Sequence, residues 1–221
     1  MEVELIDVWH SYDGFTYALK NVNLEFKSSG IHLLIGPNGS GKTTLLKVLS
    51  LVIKPSRGRV IVGGMDFWGL NERERSVLRR SVVYVHERPI LVRGSVRYNL
   101  ELGLRLRGAE VNEDLLEHYI ARYGLRDVGD RPVSKLSAGQ AKLVSIIRGL
   151  LLKPQLLALD EPFTFLDSTR ASLLAEDLME VARSDRIVVV ATHYMHKGLS
   201  SYCKRVVELV NGEVTLHEEV R

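Results

Sequence analysis

The segment "GPNGSGKTT", residues 36–44, follows the apolar run "IHLLI" (31–35) and opens a helical pattern at Lys42. It matches G-x-x-x-x-G-K-[ST] between a strand and a helix, which is the context that this pattern requires. Glycines let backbone N–H groups turn inward around phosphate oxygens, and the helix N-terminus adds about half a positive charge. The segment therefore predicts a phosphate cradle at the end of a buried strand.

Two side chains of the cradle have expected roles at a nucleoside triphosphate. The ammonium group of Lys42 is expected to reach the β- and γ-phosphates, and the hydroxyl of Thr43 is expected to ligate Mg²⁺. A triphosphate with Mg²⁺ is thus the expected ligand.

Carboxylates that suit this cradle occur in "LLALDEPFTFLD" (156–167). An apolar strand ends at Asp160, so its carboxylate should lie at the carboxyl edge of the sheet, where it can hold Mg²⁺ through water. Glu161 comes next and can orient or deprotonate an attacking water. An ordinary acidic turn is the alternative for this pair taken alone.

A histidine follows another buried strand in "VVVATH" (188–193). Because this strand should also lie near the cradle, we expect His193 to contact the γ-phosphate; a satisfied loop histidine is the alternative. His193 and His196 form an i,i+3 pair, but without a nearby carboxylate or cysteine the pair is a weak zinc signal. We expect no zinc site.

Composition excludes several classes of protein. The chain has 221 residues, 45% of them apolar and 26% charged, with a net charge of +3 and one cysteine. The basic segment "RERSVLRR" (73–80) reads as a solvated helix face, so nucleic-acid binding is not expected. Neither a signal peptide nor an apolar run of about 18 residues is present, so a membrane role must come through a partner.

Apolar strands alternate with helices along most of the chain, which predicts a largely parallel sheet covered on both faces. Residues 89–135 differ, because helical patterns dominate there and no strand is indicated. We therefore expect an α/β lobe from 1–88 and 136–221 and a helical subdomain at 89–135. A terminal hairpin turning at Asn211-Gly212 should end the chain without a C-terminal regulatory domain.

The segment "KLSAGQAK" (135–142) opens a long apolar helix. Ser137 and Gln140 form S-x-x-Q, the capping-box arrangement, which alone is a sufficient explanation. It does not explain why Ala138 and Gly139 leave the backbone bare. Because bare amides at a helix N-terminus can bind an anion, a second phosphate contact is the other interpretation.

Taken together and in this order, "GPNGSGKTT", "LSAGQ", "LALDEP", "TFLD" and "ATH" resemble the ATP-binding subunit of ABC transporters across essentially the whole chain. The resemblance implies an α/β P-loop NTPase fold of ABC type, with a mostly parallel core sheet, an antiparallel N-terminal β-subdomain and a helical insert. It also implies ATP as substrate, Mg²⁺ as cofactor, and a head-to-tail pair with a second copy or a homologous ATPase. Ser137 and the Gly139 amide would then contact the γ-phosphate held by the other chain.

Further roles are implied by the same resemblance. Tyr12 matches the aromatic residue that stacks on adenine, although a half-buried tyrosine at a strand end is the alternative. Asp167 matches a loop aspartate that couples the two sites of the dimer. The implied ATP-binding residues are Tyr12, Gly36, Pro37, Asn38, Gly39, Ser40, Gly41, Lys42, Thr43 and Thr44, and the signature positions are Ser137, Ala138, Gly139 and Gln140.

The chain departs from the family pattern at two positions. Ala138 replaces a glycine of the signature, and Glu87 stands where the family has a glutamine that ligates Mg²⁺ and senses the membrane subunit. We expect Glu87 to keep the metal role; a one-residue shift would put His86 there instead.

The function implied by the resemblance is an ATPase that powers an ABC transporter from the cytoplasmic face of the membrane, bound to an integral-membrane permease. An importer is expected, and "SVRYNLELGLRLRG" (95–108) is similar to ATPases of oxyanion importers for tungstate, molybdate or phosphate. The exposed face near Arg88, Arg93 and Arg97 is the expected docking surface, with a solvated face as the alternative. The alternative functions are an ABC-type ATPase acting in assembly or scaffolding and a P-loop metabolite kinase.

Overall fold

A computed structural model describes residues 1–27, 29–193, 197–200 and 202–219. In these ranges the strands are β1 (Val3–Ser11), β2 (Tyr17–Phe26), β3 (Gly30–Ile35), β4 (Arg57–Val62), β5 (Met65–Asp66), β6 (Val82–Val85), β7 (Leu156–Asp160), β8 (Ile187–Thr192), β9 (Cys203–Val210) and β10 (Glu213–Glu219). The α-helices are α1 (Lys42–Leu49), α2 (Glu72–Arg79), α3 (Val96–Leu106), α4 (Glu113–Arg122), α5 (Ala138–Leu151), α6 (Ser168–Arg183) and α7 (Lys197–Ser200).

Within the described residues the strands form two sheets. One is antiparallel, with the order β2-β1-β4-β5. The other has the order β10-β9-β3-β8-β7-β6, and only β10 runs antiparallel to its neighbour. Strands β7 and β8 are buried along their whole length, as continuous apolar runs in a covered parallel sheet should be. The predicted α/β fold, with a mostly parallel core sheet and an antiparallel N-terminal sheet, is confirmed.

Alternate residues of the parallel strands pack into two different hydrophobic cores. Ile187 and Val189 pack with α1 and the antiparallel sheet, whereas Val188 and Val190 pack with α5 and α6 on the opposite face. This alternation follows from the two-residue side-chain period of a strand. Helix α1, which carries the end of the cradle, is thus clamped between the two sheets.

Helix α5 belongs to two cores at once. Its Ile146 and Leu150 pack against the parallel sheet, whereas Leu143 and Ile147 pack with α3 and α4. Since all four side chains are almost completely buried, each contributes about 1.5–3 kcal/mol to stability. Helix α5 therefore connects residues 89–135 mechanically to the parallel sheet.

Between β6 and α5 the described chain contains α3, α4, short 3₁₀ helices and the isolated bridge Ser95–Pro132, with no strand. The division of the chain into an α/β lobe and a helical subdomain stays a prediction. Among the helices described, none combines the length and the apolar character that crossing a bilayer demands.

Candidate active site

Three parallel strands end side by side at the site. Ile35, the last residue of β3, pairs with Thr192 at the end of β8, and Asp160 of β7 pairs with Ala191. The loops that follow these strands therefore share one edge of the sheet. They border an open cleft of about 470 Å³, lined by Ala18, Asn38, Gly39, Gly41, Lys42, Thr43, Thr44, Glu87, Asp160, Glu161, Thr164 and His193.

Two glycines let the cradle loop lie directly on neighbouring backbone. At Gly36 (φ 150°) a Cβ atom would lie 2.1 Å from the carbonyl oxygen of Leu209, and at Gly41 (φ 105°) it would lie 2.4 Å from that of Ala18. Any side chain would push the loop off this support, since both φ values are strained for L-residues. Gly41 is also the N-cap of α1 and provides no side-chain cap, so the amides of the first turn stay open to a ligand.

The cradle contains a cationic side chain and a polar side chain that could bind an anion, Lys42 and Ser40. The Lys42 Nζ donates to the carbonyl oxygens of Gly36 (2.7 Å) and Pro37 (3.0 Å), which folds the side chain along the loop. Ser40 is buried, and its hydroxyl has no hydrogen-bond partner among the described residues. A buried hydroxyl without a partner is costly, so this loop fits a phosphate that supplies the partner.

Asp160 is buried at the end of β7, and one of its oxygens accepts two hydrogen bonds. The Thr43 Oγ1 hydroxyl donates to Asp160 Oδ2 at 2.8 Å, and the Tyr84 phenol donates to the same atom at 2.9 Å. Burial and the negative charge of Asp160 raise the pKa of Tyr84, so the phenol keeps its proton. Sequence reasoning brought Thr43 to Asp160 but missed Tyr84, whose only signal was its place one strand away in "VVYV".

Lys142 is a second residue that sequence reasoning missed. Its side chain is completely buried, and its Nζ donates to three backbone carbonyl oxygens, those of His86 (3.1 Å), Glu87 (2.8 Å) and Asp160 (3.0 Å). Burial lowers the pKa of Lys142 to about 8, although nearby carboxylates, chiefly Asp160, act in the opposite direction. The lysine therefore lies directly behind the carboxylates that border the cleft.

Glu161 and His193 meet at the rim of the cleft. The Glu161 Oε1 lies 3.0 Å from His193 Nδ1, and the Thr192 hydroxyl donates to Glu161 Oε2 at 3.2 Å. The Glu161 backbone has φ 44°, a conformation that costs about 1–3 kcal/mol in a residue with a side chain and is typical of functional sites. Its carboxylate is thus held in one orientation. His196 lies outside the described residues.

Tyr12 lies at the far end of the cradle. Its side chain is 64% exposed, its hydroxyl is 3.2 Å from Thr44 Oγ1, and its ring makes a T-shaped contact with the buried His10 ring, with the ring centroids 4.7 Å apart. These contacts hold the side chain in place while most of it is accessible to a planar ligand.

The signature positions do not border this cleft. Ser137 is the N-cap of α5, and its hydroxyl accepts from the Gln140 amide at 3.3 Å while Gln140 Oε1 accepts from the Ser137 amide at 3.0 Å. The predicted capping box is therefore confirmed. Ser137 and Ala138 are exposed, and a Cβ at Gly139 would lie 2.6 Å from the Phe165 carbonyl oxygen. Asp167, in the same loop as Phe165, caps α6 through the Arg170 amide at 2.9 Å.

Oxygen donors of the right chemistry for Mg²⁺ converge in the cleft. Thr43 and Asp160 are already in contact, and Glu87 faces the same space. Mg²⁺ prefers a few hydroxyl and carboxylate oxygens together with substrate phosphates. A glycine cradle with a lysine, a hydroxyl–carboxylate pair and an adjacent glutamate defines a P-loop nucleoside triphosphatase.

Comparison with known proteins specifies that class. The family model described as "ABC transporter" matches residues 19–164, and the chain belongs to this family. It is 34% identical to the phosphate import ATP-binding protein PstB 2 of Natronomonas pharaonis, over 94% of this chain and 76% of that protein. It is 30% identical to the tungstate uptake system ATP-binding protein TupC of Peptoclostridium acidaminophilum, over 97% of both.

A solved structure agrees with this assignment. The dimeric, post-hydrolysis structure of the ATP-binding cassette MJ0796 bound to ADP and Pi superposes with a TM-score of 0.86 at 29% identity, covering 99% of both chains. The chain is therefore an ABC-type ATPase, the ATP-binding subunit of a transporter.

The contact of Tyr84 with Asp160 can be tested without nucleotide. In Tyr84→Phe the buried carboxylate loses one donor, and a hydrogen bond to a charged group contributes about 1.5–3 kcal/mol. We expect the free energy of unfolding from urea titration to fall by about that amount. Tyr98→Phe, at an exposed tyrosine of α3, is the control and should change it by less than about 0.5 kcal/mol. Equal values for the two variants would contradict the assigned contact.

Proposed function

We propose that this chain powers an importer by forming a head-to-tail dimer, in which α5 of each copy completes the ATP site of the other. The observation that carries the proposal is the position of residues 137–139. Ser137 and Ala138 are exposed at the helix start and Gly139 is half-buried; all three residues are small, and none borders the chain's own cleft. A phosphate contact from this segment therefore requires a nucleotide held by another chain.

Within each site, different residues would bind the adenine ring and the phosphates of ATP. Tyr12 would stack on the adenine ring through its exposed face. The phosphates would be bound by Gly36, Pro37, Asn38, Gly39, Ser40, Gly41, Lys42, Thr43 and Thr44. The Lys42 ammonium, now on loop carbonyls at the cradle wall, would turn to the β- and γ-phosphates.

Thr43, Asp160 and Glu87 are the proposed metal ligands. Bound Mg²⁺ would neutralise phosphate charge during transfer. Tyr84 fixes one Asp160 oxygen on the side of Thr43, and the exposed Glu87 carboxylate approaches from the end of β6. A carboxylate at this position adds negative charge that the glutamine of the family lacks.

Glu161 and His193 are the proposed catalytic pair. Water attacks the γ-phosphorus, the bond to the β–γ bridging oxygen breaks, and Glu161 accepts the proton of the water. The carboxylate is held at the rim, where the γ-phosphate would end, by the hydrogen bonds that it accepts from the Thr192 hydroxyl and the His193 Nδ1. The other ring nitrogen of His193, with 52% of the side chain exposed, would contact that phosphate.

The partner's Ser137 hydroxyl and Gly139 amide would complete the charge stabilisation. Such preorganised donors typically contribute about 10²–10³ in rate. Ala138 is exposed, so its methyl group can point away from the phosphate. Asp167 caps α6 two residues after Phe165, whose carbonyl oxygen lies against Gly139, and this connection would let it transmit closure from one site to the other.

The proposed direction of transport and class of solute are inferred from the names of the two relatives. Both relatives named above serve uptake, one of phosphate and the other of tungstate, so import of an oxyanion is the proposed task. The chain would act at the cytoplasmic face of the membrane, bound peripherally to a permease. The alternative function is that of an ATPase in assembly or scaffolding, which recovery of the chain with soluble proteins and without a permease would support.

An apolar groove beside the site suits the permease better than the arginine face does. Arg97 already forms ion pairs with Glu113 and Glu117, which a docking partner would have to replace. The groove runs between β6, α3 and α5, has a volume of about 320 Å³, and includes Val83, Ile90, Leu102 and Leu106. Ile90 is 54% and Leu106 is 76% exposed. A cytoplasmic helix of the permease with an apolar face is the proposed occupant.

Glu161→Gln should trap the closed state. The amide cannot accept the proton of water but keeps the shape of the side chain, so ATP stays bound. We expect an ATP-dependent dimer by light scattering and turnover reduced at least about a hundredfold. Glu110→Gln, at an exposed surface position, should stay monomeric after ATP is consumed and turn over normally. Full turnover of Glu161→Gln would remove Glu161 from its role.

The groove is tested with the double variant Ile90→Asp and Leu106→Asp. Two charges in the groove should abolish recovery of the tagged chain with a permease from detergent extracts of native membranes, identified by mass spectrometry. The ATPase rate of the isolated chain should stay within about twofold, since neither residue borders the cleft. Recovery of the unaltered chain only with soluble assembly proteins would contradict the transport function.

A further inference from the structure

The buried ammonium group of Lys142 requires an explanation beyond packing. Transfer of an ammonium group out of water is costly, and an apolar side chain of similar volume would often serve stability equally well. Lys142 precedes the apolar residues Leu143 and Val144 on α5 and is as fully buried as they are. What distinguishes it is the set of three carbonyl oxygens that it contacts.

These carbonyls lie where two neighbouring strands separate. The β6–β7 ladder ends at the pair Val85–Leu159. His86 and Glu87 follow on one strand and Asp160 on the other, and the Lys142 Nζ bonds to all three main-chain oxygens at 2.8–3.1 Å. Lys142 thus bridges the two strands directly after their last paired residues. The Glu87 and Asp160 side chains, which border the cleft, belong to the residues that it bridges.

The same lysine stands near the beginning of α5, five residues after the N-cap (142 − 137 = 5). Helix α5 is a single rigid element anchored in two cores, so a shift of its exposed start moves Lys142 as well. The hydrogen bonds from the Lys142 Nζ to main-chain oxygens would pass that shift to the loops that carry Asp160 and Glu87. Lys142 therefore connects the start of α5, which would contact the partner chain, with the Glu87 and Asp160 carboxylates of its own chain.

We propose that Lys142 is a positioning residue that couples the two sites of the dimer: contact of α5 with the partner's nucleotide raises this chain's affinity for its divalent cation. This inference rests on the proposed head-to-tail dimer. Coupling of this kind is reciprocal, so cation binding equally favours closure. A lysine that only stabilises the fold would lower the melting temperature on removal and leave the coupling intact.

The experiment uses the full chain with Glu161→Gln, saturating ATP, and Mn²⁺ as an EPR-visible probe. Mn²⁺ affinity is compared between this dimer and the same chain with Ser137→Arg, which blocks the signature contact and keeps it monomeric. We expect dimerisation to tighten Mn²⁺ binding about tenfold. Adding Lys142→Met should weaken Mn²⁺ binding about 10- to 100-fold and bring the dimer-to-monomer ratio close to one.

Controls separate coupling from folding. Lys135→Met, at an exposed lysine just before the same helix, should preserve the tenfold ratio. Lys142→Gln keeps uncharged donors and should restore part of the ratio, and melting temperatures identify variants that are folded. A folded Lys142→Met dimer that keeps the full ratio overturns the proposal. If the Glu161→Gln parent does not dimerise with ATP, the dimer itself fails, and this is seen before any Lys142 variant is made.

Discussion

A carboxylate buried at the end of an apolar strand must be surrounded by donors, and the arrangement of the site follows from that requirement at Asp160. Its side chain accepts from Thr43 and Tyr84, and its main-chain oxygen accepts from Lys142. These donors come from α1, β6 and α5 respectively. Asp160 therefore links the cradle helix α1, the edge strand β6 and the signature helix α5 through its hydrogen bonds.

The parallel sheet makes this convergence possible. Strands β3, β8 and β7 lie side by side and end together, so the loop at Gly36, the Glu161 turn and His193 open on the same edge. Glycines at positions 36 and 41 let the cradle rest on backbone, and the first amides of α1 stay uncapped. The proposed phosphate site is therefore fixed by backbone contacts, and Asp160 and Glu161 line the same cleft.

Sequence alone predicted those parts of the site whose determinants are local. The cradle, the strand that ends at Asp160 and the capping box of Ser137 each lie within one short segment. Tyr84 and Lys142 could not be predicted in this way, because Tyr84 is 76 residues from Asp160 and Lys142 is 55 residues from Glu87. Their contacts depend on the register of β6 with β7 and on the rotation of α5. Asp167 was assigned a coupling role, and its local work as the cap of α6 was overlooked.

Complementation tests most directly whether two chains share each reaction centre. Lys42→Ala removes the cradle lysine, and Ser137→Arg blocks the signature, so each variant alone should hydrolyse almost no ATP. A heterodimer of the two variants has one intact site, so the mixture should regain activity, about a quarter of normal if the chains pair at random. Near-normal turnover by Ser137→Arg alone, or a mixture that pairs but stays inactive, would contradict a shared centre.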